Sequence, residues 1–195
     1  QRYFLAVEAT PPPRAALLPH IWLSDEEIRQ GQRLLEQLPD KAGTPPIALH
    51  PYATHPDKAW KEAYWRQLME LFESRGIPWI VIGRGNGMEG IPASRNFTNR
   101  TSLRETCALL KSSSLLITGD SGPMHLAGAV GTPVLALFGP TTEEWGFFPA
   151  GPKDRVLESQ LDCRPCTLHG KKHCDRNHAC MQSITPEQVM RALDE

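Results

Sequence analysis

The chain has 195 residues, which is long enough for one large domain or two small ones with a substantial core. Hydrophobic residues make up 40% of the chain, and 21 Lys plus Arg balance 22 Asp plus Glu to give a net charge of -1. This balance excludes a nucleic-acid binder that relies on a broad basic face. No apolar run approaches the ~20 residues of a membrane-spanning helix. A globular α/β domain remains.

The first twenty residues contain four prolines, at positions 11, 12, 13 and 19. Such a stretch is stiff, extended and incompatible with a helix. We interpret residues 1–20 as the remnant of an interdomain linker and residues 21–195 as one domain. Because the chain begins with Gln1 rather than Met, we expect it to be a piece of a longer protein.

Short apolar runs alternate with amphipathic segments from residue 24 onward. The pattern predicts strands over residues 47–50, 79–82, 115–118 and 134–138, with a brief strand near residue 97. Capping boxes that begin at Ser24, Ser102 and Thr185 predict helix starts, and Gly76 predicts the end of the helix through residues 65–72. Further helices are predicted from Ser24 to Pro39 and over residues 125–130.

All-apolar strands separated by helices predict a Rossmann-like parallel sheet with helices on both faces. Such sheets bind ligands beyond the carboxyl ends of their strands. We therefore expect function in the loops that follow residues 50, 83, 118 and 138.

Residues 118–127 follow a predicted strand and begin a helix. Ser121, Gly122 and Pro123 would present backbone amides and a hydroxyl at a helix N-terminus, which favours an anion. Asp120 would repel a phosphate and is better suited to accept hydrogen bonds from sugar hydroxyls. His125 could contact a ligand or pack against the core, and the whole turn could be an ordinary N-cap.

The loop after the first strand offers Lys58 as a point charge for phosphate and Thr54 as a hydroxyl donor. Alternatively, Lys58 is a solvated surface lysine. The glycine-rich loop at residues 83–87 does not match a dinucleotide fingerprint. Glu89 just beyond it could bind ribose hydroxyls or could simply be exposed.

Four of the five cysteines lie in a C-terminal Cys-rich segment, residues 160–181, at positions 163, 166, 174 and 180. His169, His173 and His178 are interleaved with them. The segment could hold a structural zinc ion, although its spacing is not that of a standard zinc motif. Free or disulfide-paired structural cysteines are the alternative. A chain with its own core and one local cluster of cysteines indicates a reducing compartment.

The longest motif, residues 119–127, continues into residues 129–134 and 138–141, and the whole resembles glycosyltransferase family 9, the ADP-heptose:lipopolysaccharide heptosyltransferases. Residues 57–60 and 65–68 resemble a second motif of that family. Residues 163–166, Cys174 and residues 180–181 are similar to the tail of many members. The resemblance spans residues 20–193.

This resemblance implies the C-terminal, donor-binding half of a GT-B glycosyltransferase, an inverting and metal-independent enzyme without a cofactor. The diphosphate would then be bound by Thr54, by Lys58 and by the backbone of residues 121–124 (Ser121, Gly122, Pro123 and Met124). Lys58 would also support the leaving group by stabilising its negative charge. Asp120 would hold sugar hydroxyls, with His125 close by and Glu89 as a weaker candidate. The catalytic base would lie in the missing N-terminal domain, so this chain alone is expected to be inactive.

The partners implied by the resemblance are an ADP-sugar donor, ADP-heptose by default, and a lipopolysaccharide core acceptor reached through the missing domain. The enzyme would be cytoplasmic, peripherally associated with the inner face of the inner membrane, and would not bind nucleic acid. Two alternatives remain: a stand-alone, non-catalytic nucleotide-binding module and a GT-B epimerase.

Overall fold

A computed structural model describes residue 10 and residues 17–39, 43–167 and 173–194. Most of the predicted linker, residues 1–20, therefore lies outside the described residues. The strands are β1 (Ile47–His50), β2 (Trp79–Val81), β3 (Leu115–Gly119), β4 (Val134–Phe138) and β5 (Arg155–Glu158). The helices are α1 (Asp25–Leu35), α2 (Glu62–Arg75), α3 (Leu103–Lys111), α4 (Gly122–Val130), α5 (Ala179–Gln182) and α6 (Pro186–Asp194), with single 3-10 turns at Pro56–Lys58 and Glu143–Trp145.

The five strands form one parallel sheet in the order β2-β1-β3-β4-β5. Successive side chains of a strand point to opposite faces, so an all-apolar strand needs a cover on both sides. In β3, for example, Leu115 and Ile117 belong to one core cluster and Leu116 to the other. Residues of α2 and α6 complete the first cluster, and residues of α3 and α4 complete the second. The predicted parallel α/β architecture is thus confirmed.

Helix α1 packs on α3 rather than on the sheet. Gly31 allows the close approach, because a Cβ there would lie 2.7 Å from the backbone of Ala108. Within the described residues, no helix is both long enough and apolar enough to cross a membrane.

Local signals located the helix ends well. The capping boxes that begin at Ser24 and Ser102 both form, with Glu27 and Glu105 as the reciprocal partners. Thr185 and Gln188 exchange the same pair of bonds at the start of α6. The predicted end at Gly76 is confirmed by its left-handed conformation, which glycine adopts without strain.

The structure differs from the predicted elements in three places. Strand β5 was not predicted, because it is a partly exposed edge strand of mixed polarity with no apolar run. Near residue 97 only a single parallel bridge forms, between Val81 and Asn96. Helix α1 also stops at Leu35, before the predicted end at Pro39.

Strand order locates the expected ligand site. From β1 the chain passes to β2 on one side and then crosses to β3 on the other. Strands β1 and β3 therefore flank the point where the winding reverses, and ligands of open α/β sheets bind outside the carboxyl ends of such strands.

Candidate functional site

A cavity of about 450 Å³ lies at this carboxyl edge, between the loops after β1 and β2 and the N-termini of α3 and α4. Its lining residues are His50, Tyr52, Ala53, Thr54, Gly83, Arg84, Thr101, Leu103, Thr106, Ser121, Gly122, Pro123 and Leu126. The volume falls within the range of ordinary small-molecule sites.

The start of α4 forms one wall of the cavity. Ser121 is the N-cap residue, and Gly122 and Pro123 occupy the first turn. The Met124 side chain is buried in the core, so only its backbone could contact a ligand. The amides of the first turn carry the positive end of the helix dipole, which suits an anion.

His50, the last residue of β1, is a wall residue that the sequence reasoning missed. The residue is 6% exposed, and its Nδ1 lies 3.0 Å from Thr118 Oγ1 and 3.2 Å from Ser121 Oγ. Burial lowers the pKa of His50 to about 4, so the imidazole is neutral at pH 7. A polar residue at the carboxyl end of an otherwise apolar strand was the signal that could have identified it.

Lys58 and Asp120 form an ion pair beside the cavity. Lys58 Nζ lies 2.5 Å from Asp120 Oδ2, and the two side chains are only 14% and 10% exposed. Thr141 donates a second hydrogen bond to the same carboxylate oxygen, at 3.1 Å. Lys58 is therefore not a solvated surface lysine. Since Asp120 directly precedes Ser121, the ammonium group is held next to the start of α4.

The remaining predicted residues separate into two groups. Thr54 lines the cavity together with Ser121, Gly122 and Pro123, whereas His125 and Glu89 are exposed and lie outside its lining. The backbone carbonyl of Glu89 accepts a hydrogen bond from Arg66.

The backbone of the glycine-rich loop after β2 lies directly against the rings of His50 and Tyr52. A Cβ on Gly83 would lie 2.5 Å from the His50 ring, and one on Gly85 would lie 2.3 Å from the Tyr52 ring. The Tyr52 hydroxyl lies 2.6 Å from Thr98 Oγ1, which fixes the ring against this loop. These glycines therefore allow two cavity-lining side chains to pack against the backbone.

The N-terminus of α3 is a second part of the site that sequence reasoning missed. Thr101, Leu103 and Thr106 line the cavity, and Leu103 is 68% exposed at its rim. Arg84 adds an exposed cation. The helix that follows β2 must begin at the carboxyl edge of the sheet, and this connection was the available signal.

The Cys-rich segment packs against the end of β4. The Arg164 guanidinium, 5% exposed, pairs with Glu158 at 2.7 Å and donates to the Thr141 carbonyl at 3.0 Å. Cys166 N–H donates to the carbonyl of Pro140. Further on, His178 Nε2 lies 2.8 Å from Asp57 Oδ1, which ties the segment to the turn that carries Lys58.

The described residues contain no disulfide that involves the four cysteines of this segment, and burial raises the pKa of Cys180. Within residues 17–39, 43–167 and 173–194, no three His, Cys, Asp or Glu side chains form a group that could hold a metal ion. His169 lies outside the described residues.

A doubly wound α/β domain with a cavity at its switch point and a helix N-terminus in the cavity wall has the architecture of the Rossmann-like class, in which ligands bind at that position. The sequence profile of glycosyltransferase family 9 (heptosyltransferase) matches residues 4–175. The chain belongs to this family, and the resemblance seen in its motifs is confirmed.

Relatives and solved structures agree with this assignment. Lipopolysaccharide heptosyltransferase 1 of Pseudomonas aeruginosa is 35% identical over 153 residues, which cover 71% of this chain and 40% of the relative. The structure of Escherichia coli ADP-heptose LPS heptosyltransferase II superposes with a TM-score of 0.71 at 23% identity, over 95% of this chain and 54% of that one.

An Escherichia coli heptosyltransferase with ADP-2-deoxy-2-fluoro heptose has a TM-score of 0.57 at 22% identity, over 84% of this chain and 47% of that one. These likenesses confirm the predicted fold class, a Rossmann-like parallel sheet with helices on both faces. The chain spans about half the length of the relatives it matches.

Proposed function

We propose that this chain is the donor-binding domain of a heptosyltransferase, which uses the described cavity to bind an ADP-sugar. The full-length enzyme would transfer a heptose-type sugar from ADP-heptose to a lipopolysaccharide core acceptor with inversion. The observation that carries the proposal is the position of the cavity, at the switch point between β1 and β3, in a chain of this family.

The diphosphate fits best at the start of α4. Backbone amides of the first turn point toward it, and Lys58 stands beside them through its pair with Asp120. The ammonium group of Lys58 is held next to the start of α4 by Asp120, and we assign it a contact with a phosphate oxygen in addition to that bond.

We assign Asp120 the role of binding the hydroxyls of the transferred sugar. Its bonds from Lys58 and Thr141 both end on Oδ2. We therefore assign the sugar hydroxyls to Oδ1. This arrangement would place the transferred sugar next to the diphosphate and outside the buried ion pair.

In the proposed reaction, an acceptor hydroxyl displaces the diphosphate at the anomeric carbon. Negative charge then develops on the leaving phosphate, where Lys58 and the α4 amides stabilise it. The base that takes the acceptor proton is assigned to the part of the enzyme beyond this chain. We place the enzyme in the cytoplasm, at the inner face of the inner membrane.

Titration calorimetry of this chain with ADP, UDP and GDP tests the proposal. ADP should bind most tightly, and Lys58→Ala should weaken it by about 10- to 100-fold, the equivalent of the ~1.5–3 kcal/mol of a hydrogen bond to a charged group. The matched control is Lys153→Ala, an exposed lysine at the opposite end of the sheet, which should bind ADP like the parent.

A parent-like affinity in Lys58→Ala would contradict the diphosphate site. Tighter binding of UDP or GDP would keep the donor domain but exclude an ADP-sugar. The stand-alone nucleotide-binding module is the second candidate. Transfer of heptose by the full-length protein, and its loss in Lys58→Ala, would exclude that candidate.

A further inference from the structure

Ser121 behaves differently from the serines at other helix starts of this chain. The hydroxyl of Ser24 accepts a hydrogen bond from Glu27 N–H, and that of Ser102 accepts one from Glu105 N–H. Ser121 is also an N-cap residue in extended conformation, yet its side chain caps nothing. The usual role of an N-cap serine is therefore unfilled at the helix that borders the cavity.

The Ser121 hydroxyl instead belongs to a hydrogen-bond network with His50 and Thr118. Its Oγ lies 3.2 Å from His50 Nδ1 and 2.9 Å from Thr118 Oγ1. Both hydroxyls also have geometry to donate to the Gly119 carbonyl, at 3.3 Å for Ser121 and 3.1 Å for Thr118. All of these groups lie within a few residues of the carboxyl ends of β1 and β3.

With the imidazole proton on Nδ1, every contact can form except the 2.9 Å one between the two hydroxyls, which would need one of them to donate to the other instead of to Gly119. Each hydroxyl donates to the Gly119 carbonyl, and His50 Nδ1–H donates to both hydroxyl oxygens. The neutral imidazole has one N–H, so this arrangement places it on Nδ1 and leaves Nε2 as an acceptor. Ser121 Oγ then accepts a hydrogen bond from His50 and makes no bond to the amides of its own helix.

We propose that His50 is a positioning residue, which holds the Ser121 hydroxyl away from the first-turn amides of α4 and so keeps them available to the anionic part of the donor. This inference rests on the proposed function, because it presumes that an anion binds at α4. Without the Nδ1–H donor, the hydroxyl would turn to the ordinary capping position. An oxygen lone pair would then occupy the place of a phosphate oxygen.

Four variants of this chain, titrated with ADP in a calorimeter, test the proposal. His50→Leu removes the donor at similar volume and should weaken ADP binding about fivefold to tenfold. Adding Ser121→Ala to it removes the competing hydroxyl, so the double variant should return to within about twofold of Ser121→Ala alone. His50→Asn keeps an N–H donor near the Nδ1 position and should retain the parent affinity.

Lys153→Ala, at the opposite end of the sheet, is again the control, because Thr118→Val would also remove a direct partner of the Ser121 hydroxyl. This control should bind ADP like the parent. A merely structural role for His50 would make the double variant at least as weak as His50→Leu, and that result would overturn the proposal. Equal affinities of the parent and His50→Leu would also overturn it.

The two proposals fail in different ways. A parent chain that does not bind ADP overturns both, because no anion site then exists at α4. A parent chain that binds ADP through Lys58, with no dependence on His50, overturns only the positioning of Ser121. If His50→Leu does not fold, the comparison of His50→Asn with His50→Gln replaces it, because Gln does not place its amide near the Nδ1 position.

Discussion

Replacing His50 should change how the stability of the domain depends on pH. Burial lowers the pKa of the folded-state imidazole from 6.5 to about 4. In the unfolded chain the same group takes up its proton near its ordinary pKa of ~6.5. Between these values the unfolded state binds more protons, so the free energy of unfolding falls as the pH falls.

The two pKa values set the magnitude of the effect. At about 1.36 kcal/mol per pKa unit, the difference corresponds to a loss of about 3 kcal/mol between pH 7 and pH 4. A typical domain has only ~5–15 kcal/mol of stability. His50 alone would therefore make this domain sensitive to mild acid.

Urea unfolding followed by tryptophan fluorescence at pH 7, 6, 5 and 4.5 measures the effect. His50→Leu should lose less stability than the parent over this range, and the difference should approach about 2–3 kcal/mol at pH 4.5. Surface carboxylates titrate in both proteins and cancel in the comparison. Parallel pH profiles for the parent and His50→Leu would refute the reasoning.

Two further substitutions test the packing around the site. Gly85→Ala would place a Cβ 2.3 Å from the Tyr52 ring, so urea unfolding should show a loss of about 1–3 kcal/mol by overpacking; an unchanged midpoint would contradict the close packing. Arg164→Met leaves Glu158 and several carbonyls unpaired, and should cost on the order of 3 kcal/mol. Arg176→Met removes an exposed pair and should change stability by less than ~0.5 kcal/mol. Equal losses in these two variants would argue against a structural role for Arg164.

Local features of the sequence were sufficient to predict most of the secondary structure. Capping boxes and the glycine after α2 determine helix ends through bonds between residues three or four positions apart. All-apolar runs required a sheet covered on both faces, because every side of such a strand must leave water. The family motifs likewise lie in continuous stretches, so the sequence alone pointed to the fold and to the loops of the site.

Only the tertiary structure determined which side chains of those loops are in contact. Lys58 and Asp120 are 62 residues apart, and only the pairing of β1 with β3 brings them into contact. The same pairing places His50 against Thr118 and directs the Ser121 hydroxyl away from its helix. Strand order and register are global properties of the sheet. For that reason, spacing along the chain could identify Ser121 as an N-cap residue. It could not show that the Ser121 side chain makes no hydrogen bond to the amides of α4.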